Sequence, residues 1–86
     1  MYLKNSNIMK SGVYKITNLI NNKFYIGSSN NLYKRKWEHF DKLKKSNHVN
    51  IILQNSVNKY GIENFKFEIL ATCPKEYCIK LEQWFI

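Results

Sequence analysis

The stretch GVYKITNLINNKFYIG, Gly12 to Gly27, decides the fold. Two short β-prone runs, Val13 to Thr17 and Lys23 to Gly27, flank Asn18-Leu19-Ile20-Asn21-Asn22. Asparagine tolerates the left-handed positions a tight turn needs, so this segment predicts an antiparallel β-hairpin. Gly12 and Gly27 bracket the hairpin, where a missing Cβ allows close backbone approach or a positive φ. A lone hairpin is not stable in water, so the remaining chain must supply another strand and covering helices.

Working outward, Ser28-Ser29-Asn30-Asn31 offers several helix N-caps. Leu32, Tyr33, Trp37, Phe40 and Leu43 then fall within one arc of about 140° at helical spacing, predicting an amphipathic helix from Leu32 to Lys45. Asn47 to Asn50 can start a second helix, with Ile52, Leu53, Val57 and Tyr60 as its apolar stripe and Gly61 as its terminator. Phe65, Phe67 and Ile69 alternate with Lys66 and Glu68, the pattern of a third strand. Pro74 suits the first turn of a last helix, whose apolar face reads Tyr77, Cys78, Leu81, Trp84 and Phe85. The order is ββααβα. It predicts an α+β fold, a three-stranded antiparallel β-sheet flanked by helices.

The chain has 86 residues, which bounds it to one small domain. Residues 1–10 are polar and unpatterned and read as a flexible leader, within which Met9 can serve as a second start; residues 11–86 read as one unit. The chain stops at Trp84-Phe85-Ile86, inside an apolar stripe with no cap, which predicts a domain that is incomplete at its C-terminus. Fourteen Lys+Arg against six Asp+Glu give a net charge of +8, so a polyanionic partner is expected. Thirteen of the cations are lysines, and Arg35 is the single arginine. Two cysteines, Cys73 and Cys78, are too few for a disulfide framework and have no zinc-finger spacing. They read as free thiols in a reducing compartment. No apolar run reaches the ~18 residues of a membrane span, and no signal peptide is visible, so a soluble cytoplasmic protein without a membrane partner is expected.

Several residues have a chemical reading beside a structural one. Arg35 and His39 stand four apart and share a face of the first helix. Taken alone, that is more often a solvated charged flank than a site. Glu82 falls in an otherwise apolar sector of the last helix, where a carboxylate is costly unless it is paired with a cation. A salt bridge and a metal site answer that equally well. Tyr14 and Tyr25 on the hairpin strands fit packing, and His48 before the second helix fits a cap. Lys15, Lys23, Lys34, Lys36, Lys42, Lys44 and Lys45 serve solubility or attract phosphate.

Gly12-Val13-Tyr14, ten residues, then Tyr25-Ile26-Gly27 resembles the GIY-YIG nuclease signature. Lys34-Arg35-Lys36-Trp37-Glu38-His39-Phe40 resembles that family's helix with an arginine and, four positions on, a histidine. His48 and the segment Leu53 to Gly61 resemble the intron-encoded homing endonuclease branch of phages and bacteria, and Leu81-Glu82-Gln83-Trp84-Phe85-Ile86 resembles the helix with the metal-binding glutamate. The likeness spans residues 10–86 and implies the same sheet-and-helix fold. It implies a divalent-metal-dependent DNA endonuclease domain that hydrolyses phosphodiesters with one Mg²⁺ (or Mn²⁺). Tyr14 would activate or position the attacking water, and Tyr25 would assist or share that role. Arg35 would neutralise the scissile phosphate. His39 would relay protons or orient Tyr14, His48 would hydrogen-bond phosphate or a tyrosine, and Glu82 would hold the metal. Lys15, Lys34, Lys36 and Arg35 would bind double-stranded DNA. The family's homing members carry a further asparagine and a separate DNA-binding region beyond this span, so target specificity would come from a C-terminal region missing here. The alternative is a non-catalytic or degenerate basic nucleic-acid-binding module. A third reading, a structural interaction domain, predicts that Tyr14, Arg35 and Glu82 do not converge.

Overall fold

Two backbone hydrogen bonds close the hairpin turn: Asn18 N–H donates to the Lys23 carbonyl and Asn22 N–H to the Asn18 carbonyl, each at 2.8 Å. Asn22 takes a φ of 63°, a left-handed position open to asparagine. Asn18 is buried. Its Oδ1 accepts from Ile20 N–H at 2.9 Å and its Nδ2 donates to Ser56 Oγ at 3.3 Å, so the turn is also fastened to the second helix.

The computed structural model describes residues 10–86. The hairpin strands are β1 (Gly12–Asn18) and β2 (Phe24–Ser29), followed by α1 (Leu32–Lys44), α2 (Ile51–Tyr60), β3 (Phe65–Thr72) and α3 (Cys78–Phe85), with 3₁₀ turns at Ile62–Asn64 and Lys75–Tyr77. The sheet order is β2-β1-β3 and both pairings are antiparallel. The ββααβα order and the α+β class expected from the sequence are those observed. Asn31 caps α1 by accepting from Lys34 N–H, and Asn50 caps α2 by accepting from Leu53 N–H. Gly61 ends α2 at a φ of 91°. The leader expected over residues 1–10 lies outside the described residues except at Lys10. The Lys10 carbonyl accepts from Leu32 N–H at 2.7 Å, which ties that end to the start of α1.

Strand register sorts the side chains. Tyr14 pairs with Gly27 and Ile16 with Tyr25, and β3 sets Phe67 opposite Ile16. Cross-strand partners point to the same face and successive residues to opposite ones. The face carrying Tyr14 is covered by α1 and α2, in a core of Tyr14, Ile16, Leu32, Leu43, Leu53, Val57 and Phe65. Val13 and Ser28, also partners, turn the other way. There α3 packs on β1 and β2. Each large side chain removed from water contributes about 1.5–3 kcal/mol, so this small core rests on few residues.

Hydrophobicity alone misplaces parts of three helix faces. On α1 the buried line is Leu32, His39 and Leu43, while Tyr33 and Trp37 are exposed. The helix is rotated to turn an imidazole inward, and Lys36 lays its stem alongside, its ammonium 6.0 Å from the Phe67 ring centre. On α2, Ile52 is exposed and Gln54 is buried between Leu53 and Val57. On α3, Cys78 is buried but Tyr77 and Trp84 are exposed. Pro74 precedes the 3₁₀ turn rather than sitting in the α-helix, which starts four residues later.

Gly12 is required by close approach. A Cβ there would overlap the Ala71 carbonyl oxygen and lie 2.9 Å from Thr72 Cα, both main-chain atoms of β3. Gly12→Ala is expected to lower unfolding stability by about 1–3 kcal/mol, read by urea denaturation. Stability equal to the parent would contradict this packing.

Candidate active site

Tyr14 projects from the central strand into the α1 side, and its hydroxyl meets His39 Nε2 at 2.6 Å. His39 Nδ1 in turn meets His48 Nε2 at 2.6 Å, with the two imidazoles stacked at 4.8 Å between centroids. Tyr25, on the neighbouring strand, sets its ring 6.3 Å from that of Tyr14 and edge-on to His39 at 5.8 Å. Phe67 stacks on Tyr14 at 4.9 Å from the third strand. Three elements therefore fix one phenol, and a helix and a loop fix the two imidazoles beside it.

Tyr25, His39 and His48 open onto a cleft of about 280 Å³ that Arg35, Glu38, Lys42, Val49 and Asn50 also line; Tyr14 is buried and is not among its lining residues. Arg35 is partly exposed. Its Nε pairs with Glu38 at 3.4 Å across one helical turn. A guanidinium has four further N–H donors beyond Nε, so it can still grip an anion.

Electrostatics keeps the buried groups neutral. Burial pushes the Tyr14 phenol well above the ordinary tyrosine range, and the Tyr25 phenol adds to this; the Arg35 guanidinium acts in the opposite direction without prevailing. Burial, then the His48, Arg35 and Lys42 charges, hold His39 down to about 4. Burial and Lys42 also lower His48. The arrangement is a neutral phenol–imidazole–imidazole chain behind a cationic wall.

Glu82 reaches the same edge strand by another route. The Ser28 hydroxyl donates to Glu82 Oε1 at 2.6 Å, and Ser28 follows Gly27, against which the Tyr14 ring lies. Strand alternation puts the phenol and the carboxylate on the two sides of β2. Glu82 does not line the cleft of Arg35 and the histidines. It is half-buried and belongs to none of the ion pairs found among the described residues. A half-buried carboxylate without a protein cation suits a hard divalent ion, which takes one or two carboxylates and fills its shell with water and phosphate. Among the described residues no group of three or more His, Cys, Asp or Glu is clustered for a metal, so Glu82 would act as a lone protein ligand.

Of the lysines expected to bind DNA, Lys34 is exposed on α1 and Lys36 leans on Phe67, while Lys15 lies over Phe24 at 5.1 Å. Lys42, in the cleft wall, is a closer cation than any of these.

A model of the GIY-YIG catalytic domain matches residues 10–86. The chain belongs to the GIY-YIG family. It is 44% identical over 75 residues to intron-associated endonuclease 1 of Enterobacteria phage T4, covering 87% of this chain and 30% of that protein. It is 43% identical over 78 residues to a probable intron-encoded endonuclease 1 of Neurospora crassa, covering 87% of this chain and 23% of that one. The chain thus spans less than a third of these relatives. Its fold matches the catalytic domain of homing endonuclease I-TevI with a TM-score of 0.82 and 42% identity, over 90% of this chain and 85% of that one.

The GIY-YIG glycine on β2 has a physical reason here. A Cβ on Gly27 would overlap the Tyr14 hydroxyl and stand 2.6 Å from its ring carbon Cζ, so the second tripeptide's glycine makes room for the first tripeptide's tyrosine. The sequence offered Ser28 and Asn50 only as helix-start residues and gave no role to Gln54. The signal for Gln54 was available: an amide at an inward position of an apolar stripe demands partners.

His39 fixes a pH dependence of stability for this GIY-YIG domain. The unfolded imidazole has a pKa near ~6.5, against about 4 when folded. The unfolded chain therefore takes up protons first, and the contribution is complete above about pH 6.5 and lost as pH falls toward 4. Urea denaturation should show the parent losing stability from pH 6.5 to 5 and His39→Gln losing less. Parallel curves would contradict a neutral buried His39.

Proposed function

We propose that this domain hydrolyses phosphodiesters of double-stranded DNA with one Mg²⁺ or Mn²⁺, as the catalytic part of a homing-type endonuclease. The observation that supports this most is the Tyr14 hydroxyl, buried yet bonded to His39 and acted on by the Arg35 guanidinium at the cleft edge. Burial alone asks for one hydrogen-bond partner of the phenol; the cationic cleft beside that partner is what packing does not call for.

Hydrolysis of a phosphodiester forms a bond from water oxygen to phosphorus while the ester bond to the leaving oxygen breaks. The obstacle is attack on an anion and departure of a poor leaving group. Tyr14, after losing its own proton to solvent, takes the water's proton as the phenolate, which a hydrogen bond from His39 favours; the leaving oxygen departs as an alkoxide and is protonated by solvent. Tyr25 positions the same water beside it. Arg35 neutralises charge that builds on the phosphate oxygens. Glu82 would hold the divalent ion, whose positive charge stabilises the leaving oxygen when it is bound. Lys15, Lys34, Lys36 and Lys42 add sequence-independent attraction to the backbone.

The net charge of +8 and the endonuclease names of the relatives support a nucleic-acid substrate, and the likeness to the homing branch is what favours duplex DNA. Selection of a target site is assigned to the length those relatives have beyond the matched span. Residues 11–86 act as the cutting unit. Two free thiols, Cys73 and Cys78, support action in the cytoplasm; no helix among the described residues is long and apolar enough to cross a membrane.

Supercoiled plasmid should be nicked with Mg²⁺ or Mn²⁺ and left intact with EDTA. Arg35→Ala and Glu82→Ala should each lose roughly 10²–10³-fold in single-turnover rate. If both cut like the parent, the proposed roles are wrong; if the parent cuts nothing, the domain is a binding module. Because Tyr14 rests protonated, its phenolate fraction grows with pH. The cleavage rate should rise about tenfold per unit between pH 7 and 9. A flat profile would remove Tyr14 as the base.

A further inference from the structure

The chain Tyr14–His39–His48 has a direction, and its far end sets it. A backbone N–H can only donate. The Asn50 N–H donates to His48 Nδ1 at 3.0 Å, so that nitrogen carries no hydrogen. Burial and the Lys42 ammonium keep His48 neutral near pH 7, which leaves its one ring hydrogen on Nε2. That hydrogen faces His39 Nδ1 at 2.6 Å, so His39 Nδ1 accepts. His39, also neutral, then carries its hydrogen on Nε2 and donates it to the Tyr14 oxygen at 2.6 Å. The hydrogen of Tyr14 itself is therefore turned away from His39 Nε2.

Gln54 holds the loop that makes this possible. Its Oε1 accepts from the His48 N–H at 3.0 Å. Its Nε2 donates to the Leu43 carbonyl at 3.1 Å and to Asn58 Oδ1 at 2.9 Å. The amide cannot be flipped, because the His48 N–H can only donate and the Leu43 carbonyl can only accept. Gln54 is buried, and through Leu43 it locks the His48 loop to the end of α1, the helix that carries His39. Asn50 serves twice: its side chain caps α2 by accepting from Leu53 N–H, and its backbone orients His48.

We propose that Gln54 and the Asn50 backbone amide are positioning groups for phosphodiester cleavage, fixing both imidazoles as Nε2–H tautomers so that the chain donates into the Tyr14 oxygen. Donation of this kind favours the phenolate over the phenol. It makes His39 a supporter of the Tyr14 anion rather than the acceptor of the Tyr14 proton. The catalytic half of the proposal rests on the phosphodiesterase reading above; the tautomers do not.

Nitrogen-15 NMR of the histidine-labelled domain at pH 7.5 tests the direction without any substrate. Both rings should give a pyrrole-type Nε2 and a pyridine-type Nδ1. An Nδ1–H ring, or averaged signals, at either histidine overturns the proposal, whereas a parent that cuts no DNA strikes only the reading beneath it. Gln54→Met keeps the volume and removes the amide. It should lose about ten- to hundredfold in single-turnover cleavage and show His48 averaged between tautomers, with DNA affinity unchanged. A cleavage rate equal to the parent, or a lost rate with the His48 signals intact, overturns the positioning role of Gln54.

Discussion

The bond between the Tyr14 hydroxyl and His39 is the constraint on which the rest of the structure turns. Tyr14 is among the most buried side chains of the central strand, and a hydroxyl taken from water without a partner costs on the order of 1–3 kcal/mol. The fold meets that demand by rotating α1 until an imidazole, not an indole, faces the sheet. The imidazole then needs a partner for its second nitrogen, and His48 supplies it from the loop before α2. His48 is satisfied by main chain and by Gln54. Each step solves the problem the previous one created, and the last lies at the cap of α2. A residue of the hairpin is thereby coupled to the start of a helix some 35 positions away in sequence. Gly27 is the matching concession on the other side, a strand position left bare so that the phenol fits.

Charge is arranged around this neutral chain rather than in it. Arg35 and Lys42 stand at the rim, partly in water, where a cation needs no buried counter-ion. Burial and Lys42 lower the pKa of both imidazoles, and Arg35 adds to this at His39. An anionic ester drawn into the field of these cations would share Arg35 with a carboxylate. The one carboxylate in the cleft wall, Glu38, is held by Arg35 itself. Glu82 is kept apart, across the edge strand, fastened by Ser28. Arg35 and Glu82 thus stand on the two faces of the edge strand.

Much of the fold was legible in the sequence because its signals are local. The asparagine turn, the alternation of Phe65, Phe67 and Ile69, and the caps at Asn31 and Asn50 each rest on a few adjacent residues. The helix faces were less legible. Trp37, Tyr33, Ile52 and Trp84 are apolar, and periodicity assigned them inward; the structure leaves Tyr33, Trp37 and Ile52 outside because His39 and Gln54, both polar, occupy the inner positions of α1 and α2, and on α3 it buries Cys78 rather than Trp84. Hydrophobic pattern cannot anticipate a helix turned by a hydrogen bond. The candidate site was readable as a set of residues only through the GIY-YIG likeness. Spacing alone favoured a solvated flank for Arg35 and packing for the tyrosines. The connection from His39 through His48 to Gln54 depends on loop geometry between Lys45 and Asn50, which no periodicity encodes. Nor did anything in the sequence place Ser28 under Glu82, since the two are 54 residues apart.

The most direct test is a crystal structure of Tyr14→Phe with duplex DNA and Mn²⁺, located by its anomalous signal. Mn²⁺ is expected on the Glu82 carboxylate and on an oxygen of one phosphate, with an Arg35 nitrogen about 2.7–2.9 Å from another oxygen of that same phosphate. Manganese bound away from Glu82, or Arg35 and Glu82 engaging different phosphates, would contradict this arrangement.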